Sequence, residues 1–151
     1  MRLSAKADYA LRAAIELAAH PDEHVKMERI AAAQDIPLRF LEHILLELKH
    51  AQLVESRRGA EGGYRLARPA EELTLADVIR AVEGPLANVR GLRPEALEYA
   101  GSAAPLRDVF VAMRASVRTV LEHVTLADVA RGELPEVVHE LVRDADAWSP
   151  R

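Results

Sequence analysis

Cysteine is absent from the 151 residues of this sequence. Its absence excludes disulfides, a catalytic thiol, zinc sites built from thiolates and iron–sulfur clusters held by cysteine. Half of the residues are hydrophobic, so a chain of this length can bury a sizeable core without cross-links. We therefore expect one compact domain, or a small domain with an appended oligomerisation element, and no cofactor.

Long apolar runs are also missing, since the longest stretch without Asp, Glu, Lys or Arg covers residues 99–106. A membrane span needs about 20 apolar residues. The first ten residues carry Arg2, Lys6 and Asp8, where a signal peptide would need an apolar run. These features favour a cytoplasmic protein with no membrane partner.

Catalytic and metal-binding motifs are missing as well. No glycine-rich phosphate loop follows a strand pattern, and neither a nucleophile elbow nor an HExxH motif occurs. Pro21 separates His20 from His24, and His43 and His50 lie two turns apart on an exposed arc. The sequence therefore predicts neither an enzyme nor a metal site.

Positive charge is outnumbered overall, since the formal net charge is −4. It is also unevenly distributed along the chain. Residues 1–68 contain 11 basic and 10 acidic residues, a balance of +1, whereas the rest contains 9 and 14, a balance of −5. A nucleic-acid surface requires local positive charge. We expect any such surface to lie in the first half of the chain.

That first half begins with three helical patterns. Apolar residues recur every three or four positions over residues 3–20, with Ser4 available as the N-cap, and the pattern returns over residues 27–34 and 38–51. Pro37 ends a short turn between the last two patterns, because proline lacks a backbone donor and disfavours helical geometry before it. Two short helices joined by such a turn form a helix-turn-helix.

Two short alternating runs follow, over residues 53–56 and 64–67, and they flank the sequence RRGAEGG. This pattern predicts a β-hairpin with a flexible tip. A capped helix is predicted next, over residues 75–83 after Thr74. The predicted fold is mainly α with a small two-stranded β wing: a winged helix-turn-helix plus a long dimerisation helix.

The start of the second helix of the helix-turn-helix should meet base edges in the major groove. Arg39, Glu42 and His43 are therefore candidate DNA-binding residues, able to contact guanine, cytosine or phosphate groups. The alternative for Arg39 and Glu42 is a solvated surface ion pair. For neighbouring Phe40 we expect a place in the hydrophobic core.

The wing supplies a second set of candidate DNA contacts. Arg57 and Arg58 cannot both face the core of a two-stranded ribbon, so at least one extends outward, while Gly59, Gly62 and Gly63 allow close approach of the backbone. A merely solvated hairpin is the alternative. The predicted DNA-binding set is completed by Arg2 and Lys6 near the N-terminus.

Glycine and proline positions interrupt the periodicity after the winged domain, which predicts a connector with one helical turn over residues 94–99. Residues 106–124 then form the longest helical pattern, with an apolar spacing of about 3.5 residues. A helix of this length favours pairing with a second copy through Val109, Phe110, Met113, Val117, Val120 and Leu121. A short capped helix over 126–131 follows, and residues 135–146 form a last helix or a loose tail.

We divide the chain into a DNA-binding domain (1–83), a connector and candidate effector region (84–104), and a dimerisation helix with C-terminal tail (105–151).

Four segments carry a resemblance to a known family: MRLSAKADYALRA, IPLRFLEHILLELKHAQLVESRRGAEGGYRLARP, LTLADVIRAVEGPL and VTLADV. Together, over residues 1–130, they resemble the Rrf2 family of bacterial winged-helix transcription regulators. The resemblance implies a homodimeric repressor that reads a palindromic operator in double-stranded DNA. It also implies that Glu42 occupies the glutamate position of the family's recognition helix and Arg58 the arginine position before the wing glycine.

One departure from the family changes the expected regulation. Many members hold an iron–sulfur cluster through cysteines between the fourth helix and the dimer helix, and here that segment reads NVRGLRPEALEYAGSAAP. A cluster sensor of that type is therefore excluded. A small-molecule effector, a protein effector and constitutive DNA binding all remain open. The alternative function is a winged-helix protein–protein interaction module that does not bind DNA.

Overall fold

The structure, a computed structural model, describes residues 2–150. Its helices are α1 (Ala5–Ala19), α2 (Met27–Gln34), α3 (Leu38–His50), α4 (Leu75–Glu83), α5 (Leu106–Leu121), α6 (Leu126–Arg131) and α7 (Glu136–Arg143). Short 3-10 turns occur at Ala70–Glu72, Pro94–Ala96, Gly101–Ala103 and Ala145–Trp148. Within the described range, no helix combines the length and the apolar character that crossing a bilayer requires.

Hydroxyl caps set the starts of three helices. Ser4 Oγ accepts a hydrogen bond from the Ala7 N–H at 3.1 Å, as the sequence predicted for α1. Thr74 and Thr125 each form a reciprocal capping box with the aspartate three residues later. Each cap satisfies backbone donors that the first helical turn leaves free, which contributes about 1 kcal/mol.

The core of the winged helix lies between α1, α3, α4 and α6. The predicted apolar stripe of α3 is confirmed, because its four members are fully buried: Leu41, Ile44, Leu45 and Leu48. On α1 the buried face is mostly alanine, which lets neighbouring helices approach its backbone closely: Ala7, Ala10, Ala13, Ala14, Leu17 and Ala18. In the turn before α3, Asp35 is left-handed with φ 50°, and the Ile36 side chain is buried.

The two-stranded wing is joined by an isolated β-bridge that the sequence did not indicate. Strands β1 (Val54–Arg57) and β2 (Gly63–Leu66) pair antiparallel, and Val25 pairs with Tyr64 through two N–H···O bonds of 2.8 Å each. Gly63 makes this possible: its φ is 143°, and a Cβ there would lie 2.6 Å from the Val25 carbonyl group. The bridge ties the hairpin to the segment just before α2.

Helix α6 packs in the same core as the helices of the N-terminal half. Leu126 and Ala127 are buried in the cluster that includes α1. The Leu126 N–H donates to the Leu73 carbonyl at 2.8 Å, and the Leu75 N–H donates to the Val124 carbonyl at 3.0 Å. The chain after α5 therefore returns to the winged helix. The division into domains at residues 83 and 104 stays a prediction.

Helix α5 is attached to this body at few points. None of its residues is buried. The Phe110 ring lies 6.4 Å from the Tyr99 ring of the connector, and Leu121 packs against Ile79 and Leu86. The connector itself is ordered by the buried side chain of Leu97.

The last segment forms a helix rather than a loose tail. Helix α7 has no buried residue, and it contacts α5. Trp148 donates its indole N–H to the Val142 carbonyl at 2.7 Å, although the residue is 73% exposed. Together with α5, this helix presents apolar side chains to solvent.

Candidate nucleic-acid interface

The outer face of α3 presents polar side chains that pair with no other part of the described chain. Arg39, Glu42 and His43 are exposed. Within residues 2–150, none of the three forms a side-chain hydrogen bond or an ion pair. The alternative of a surface pair between Arg39 and Glu42 is therefore not what the structure contains. All three groups are available to a ligand approaching the start of α3.

The expectation for Phe40 was wrong, because its side chain is 58% exposed. Phe40 precedes the buried Leu41 by one position, which rotates it by about 100° around the helix, away from the core. Its ring lies 6.2 Å from the ring of Tyr9 on α1. The Arg12 guanidinium lies over the other ring, 4.8 Å from the Tyr9 centroid. Phe40 is thus a surface aromatic residue beside Arg39.

In the wing, both predicted arginines, Arg57 and Arg58, are exposed. Gly59 has φ 101° with open space around it, and its carbonyl accepts a hydrogen bond from Lys26 Nζ at 2.6 Å. Gly62, in contrast, is buried, and a side chain at this position would collide with the Arg57 carbonyl oxygen. The lack of a side chain at Gly62 therefore serves the folding of the hairpin itself.

Side-chain contacts hold α3 and the wing in place. Lys49 Nζ donates to Ser56 Oγ at 2.7 Å, which links α3 to β1. Lys6 Nζ lies 3.2 Å from a carboxylate oxygen of Glu47, which links α1 to α3. Lys6 was predicted to contact DNA, and here its ammonium group has an internal partner. Arg2 lies with Lys6 along a cleft between α1, α4 and α5 that no residue of the wing lines.

The sequence did not indicate Lys26 and Lys49 as part of this surface. Lys26 reaches the wing because Val25 pairs with Tyr64, a contact between segments that are far apart in the sequence. Lys49 was recognised only as a flank residue of its helix, and its bond to Ser56 depends on the turn between α3 and β1. No local signal distinguishes either lysine from other surface lysines.

Carboxylates also lie close to the wing tip, where Asp22, Glu23 and Glu61 line one hollow. Glu23 lines this hollow with Lys26 and Arg57. A hydrogen bond from Arg29 holds the pKa of Glu23 below its usual value of 4.5, so this carboxyl is ionised at neutral pH. Negative as well as positive charge therefore lies beside Arg57.

The predicted dimerisation residues face two directions on α5. Val109 is 59% exposed and Met113 is also exposed. In contrast, Phe110 contacts the connector, Leu121 packs against α4, and Val117 lines the cleft beside Ile79 and Val82. Val120 is half-buried and lies on the same side of the helix as Val109 and Met113, because it is eleven residues, about three turns, after Val109. The outward face is thus the part of the predicted interface that this chain leaves free.

Residues 3–132 match the model of a family described as "Rrf2: Iron-dependent Transcriptional regulator". The chain belongs to the Rrf2 family. Its members are helix-turn-helix transcription regulators that bind DNA, and not enzymes. The family resemblance, the mainly α winged fold and the assignment to transcription regulation are thereby confirmed.

Individual relatives of this Rrf2 chain are similar over most of its length. It is 53% identical over 145 residues to "Putative HTH-type transcriptional regulator Rv1287" of Mycobacterium tuberculosis, covering 95% of this chain and 90% of that protein. The solved structure of CymR, the global cysteine regulator of B. subtilis, has a TM-score of 0.73 at 34% identity, covering 87% and 98% of the two chains. T. potens IscR has a TM-score of 0.72 at 31% identity, covering 91% and 90%.

Iron is the cofactor that the family description implies, and the residues of this Rrf2 chain do not fit it. The chain contains no cysteine, and no group of three histidine or acidic side chains within residues 2–150 is placed to hold a metal ion. Instead, the space between the connector and α5 is lined by Arg93, Arg114 and Arg118. Guanidinium groups repel a cation and are not metal ligands.

Proposed function

We propose that this Rrf2 chain is a cytoplasmic, homodimeric repressor that binds a palindromic operator sequence-specifically through α3 and the wing. The observation that supports this proposal is the set of exposed, internally unpartnered side chains on α3, beside a wing with two exposed arginines. In an ordinary surface helix, a nearby opposite charge often pairs with such groups. Here they point outward from a rigid helix whose other face is fully buried, as direct readout of base edges requires.

The side chains have separate roles in the proposed complex. Arg39, Glu42 and His43 contact base edges in the major groove, with Glu42 accepting from a cytosine amino group. Arg57 and Arg58 bind phosphate groups or a narrow minor groove.

The other predicted residues act less directly. Gly59 lets the wing tip approach the DNA backbone, and Arg2 adds a contact to phosphate. Lys6 and Gly62 act by positioning α3 and the hairpin, as their internal contacts suggest.

In the proposed dimer, the outward face of α5 meets the same face of a second copy. An isologous interface of this kind places two identical recognition helices around a two-fold axis, so the operator has matching symmetry. Exposed Val109 and Met113 are the central contacts. A small-molecule or protein effector at the connector is proposed to alter the relation between this interface and the winged helix.

The test is binding to DNA fragments from around the protein's own coding region at graded salt concentrations. A specific complex should form, and its affinity should fall steeply with salt as counterions are released. Arg58→Ala should weaken binding to all fragments and reduce the slope of log affinity against log salt by about 1. The matched control Arg107→Ala, at an exposed position on α5, should leave both quantities unchanged.

A base-reading role for Glu42 predicts a different pattern. Glu42→Ala should relax discrimination at one operator position by about 1–3 kcal/mol and leave other positions unchanged, whereas Glu140→Ala on α7 should change nothing. Equal weakening across all sequences would contradict base reading. If no complex forms at about 50 mM salt with micromolar protein, the proposal fails and the protein-interaction module becomes the better interpretation.

A further inference from the structure

A positively charged cleft lies between the end of α4, the connector and α5. Its volume is about 460 Å³, and its walls include four arginines and one glutamate: Arg80, Arg93, Arg114, Arg118 and Glu95. The buried side chain of Leu86 forms part of its apolar wall. No residue of α3 or of the wing lines this cleft, so it is separate from the candidate DNA surface.

The internal ion pairs leave the cleft with excess positive charge. Arg80 and Arg118 both donate to the same oxygen, Oε1 of Glu122, with the Arg118 bond at 2.9 Å. Arg114 donates to Glu95. The side chain of Arg93 donates no hydrogen bond within residues 2–150. Four guanidinium groups therefore face two carboxylates, which leaves a balance of +2.

Both carboxylates, Glu95 and Glu122, are ionised at neutral pH, so each contributes a full negative charge to the balance of +2. The pKa of Glu122 lies below its usual value, because Arg80 and then Arg118 donate hydrogen bonds to the charged form. The pKa of Glu95 is also lowered, first by its own backbone N–H and then by Arg114. The excess of positive charge therefore persists under physiological conditions.

We propose that this cleft binds a small organic dianion, either a phosphate ester or a dicarboxylate. A guanidinium group matches the planar geometry of an oxyanion with two parallel hydrogen bonds. Arg93, which interacts with Glu95 only through its charge, and the donors of Arg118 that Glu122 leaves unused are suited to it. The volume is within the range of small-molecule sites. A monoanion would neutralise half of the excess charge, and a neutral ligand none of it.

A dianion in this position would contact two parts of the molecule at once. Arg80 belongs to α4, in the winged helix, whereas Arg114 and Arg118 belong to α5, where no residue is buried. Binding would therefore favour one angle between the winged helix and α5, and so one spacing of the two recognition helices in a dimer. This regulatory consequence rests on the proposed function, whereas the binding of the anion does not.

The test is calorimetric titration of the full chain, without DNA, with succinate, inorganic phosphate and ribose 5-phosphate. Acetate at matched ionic strength is the monoanion control. At least one dianion should bind about tenfold or more tightly than acetate, since each lost charge-assisted hydrogen bond costs about one order of magnitude in affinity. Tighter binding of succinate assigns the site to dicarboxylates, and tighter binding of the phosphates assigns it to phosphate esters.

Three variants locate the binding site. Arg93→Gln and Arg118→Gln should each weaken the dianion about tenfold or more, whereas Arg107→Gln, exposed on the same helix as Arg118 and outside this cleft, should change its affinity less than about twofold. Arg93 has no internal hydrogen bond, so loss of binding in that variant with an unchanged thermal unfolding midpoint cannot be ascribed to misfolding. The inference is overturned if no dianion binds more tightly than acetate, or if all three variants behave alike.

DNA binding is measured separately, first without and then with the preferred dianion. Failure to bind DNA both without and with the anion refutes the proposed repressor and leaves the titration result standing. A dianion that binds in the titration should change the affinity for DNA about fivefold or more, because coupling between two sites is commonly of that size. An unchanged affinity refutes the regulatory consequence.

Discussion

Replacing Leu126 by alanine tests whether α6 is an integral part of the winged helix. Leu126 is 0% exposed and packs in the cluster formed with α1. Its backbone N–H donates to the Leu73 carbonyl at 2.8 Å, and this bond persists in the variant because only the side chain changes. The substitution therefore isolates the contribution of apolar packing.

The expected loss of stability follows from the complete burial of this leucine. Truncating a fully buried leucine removes its transfer free energy and leaves a cavity, which together cost about 2–5 kcal/mol. For a chain of this size, each kcal/mol lowers the unfolding midpoint by roughly 2–4 °C. A cost of about 3 kcal/mol would thus lower the midpoint by about 6–12 °C.

The assay is unfolding by heat and by urea, followed by circular dichroism, at one fixed protein concentration because dimerisation would shift both midpoints. Leu92→Ala is the matched control, since Leu92 is exposed in the connector, and it should change the free energy of unfolding by less than about 0.5 kcal/mol. A loss below about 1 kcal/mol for Leu126→Ala would show that α6 is not held in the core as described.

Two further predictions concern α5 and its links. Val109→Asp places a charge on the outward face of the helix and should convert the proposed dimer to a monomer in sedimentation equilibrium. Val117→Asp, beside α4, should mainly lower the stability of the chain. A dimer mass retained by Val109→Asp would exclude the outward face as the interface. The second prediction concerns Glu122, whose pKa Arg80 lowers below 4.5 in the folded protein. The ionised carboxylate therefore stabilises the fold at pH values above the pKa of the unfolded chain. That contribution disappears as the pH falls through the pKa of the folded protein. Wild type should therefore unfold at a higher temperature than Glu122→Gln at neutral pH, and the difference should shrink as the pH falls below the unfolded pKa. A difference that stays constant through that range would refute this explanation.

Local patterns predicted most of the secondary structure. Helix α2 has the predicted bounds, and α3 differs from its prediction by one residue at its end. Each wing strand also lies within one residue of its predicted position. Caps, apolar periodicity and turn residues act over a few positions, so they can be recognised without knowledge of the fold. The same patterns could not place Phe40, whose environment depends on which neighbouring helix covers that side of α3.

The sequence by itself determined the class of the fold, the order of its elements, the exposed polar face of α3 and, through the lack of cysteine, the absence of a thiolate-held cluster. The tertiary structure alone decided which distant segments meet. Val25 pairs with Tyr64 in the wing, Leu126 packs in the N-terminal core, and Arg80 of α4 forms an ion pair with Glu122 at the end of α5. Such contacts join residues separated by many positions in the sequence. They form because the apolar faces of all the elements must be buried together. A short stretch of sequence does not show how those faces combine.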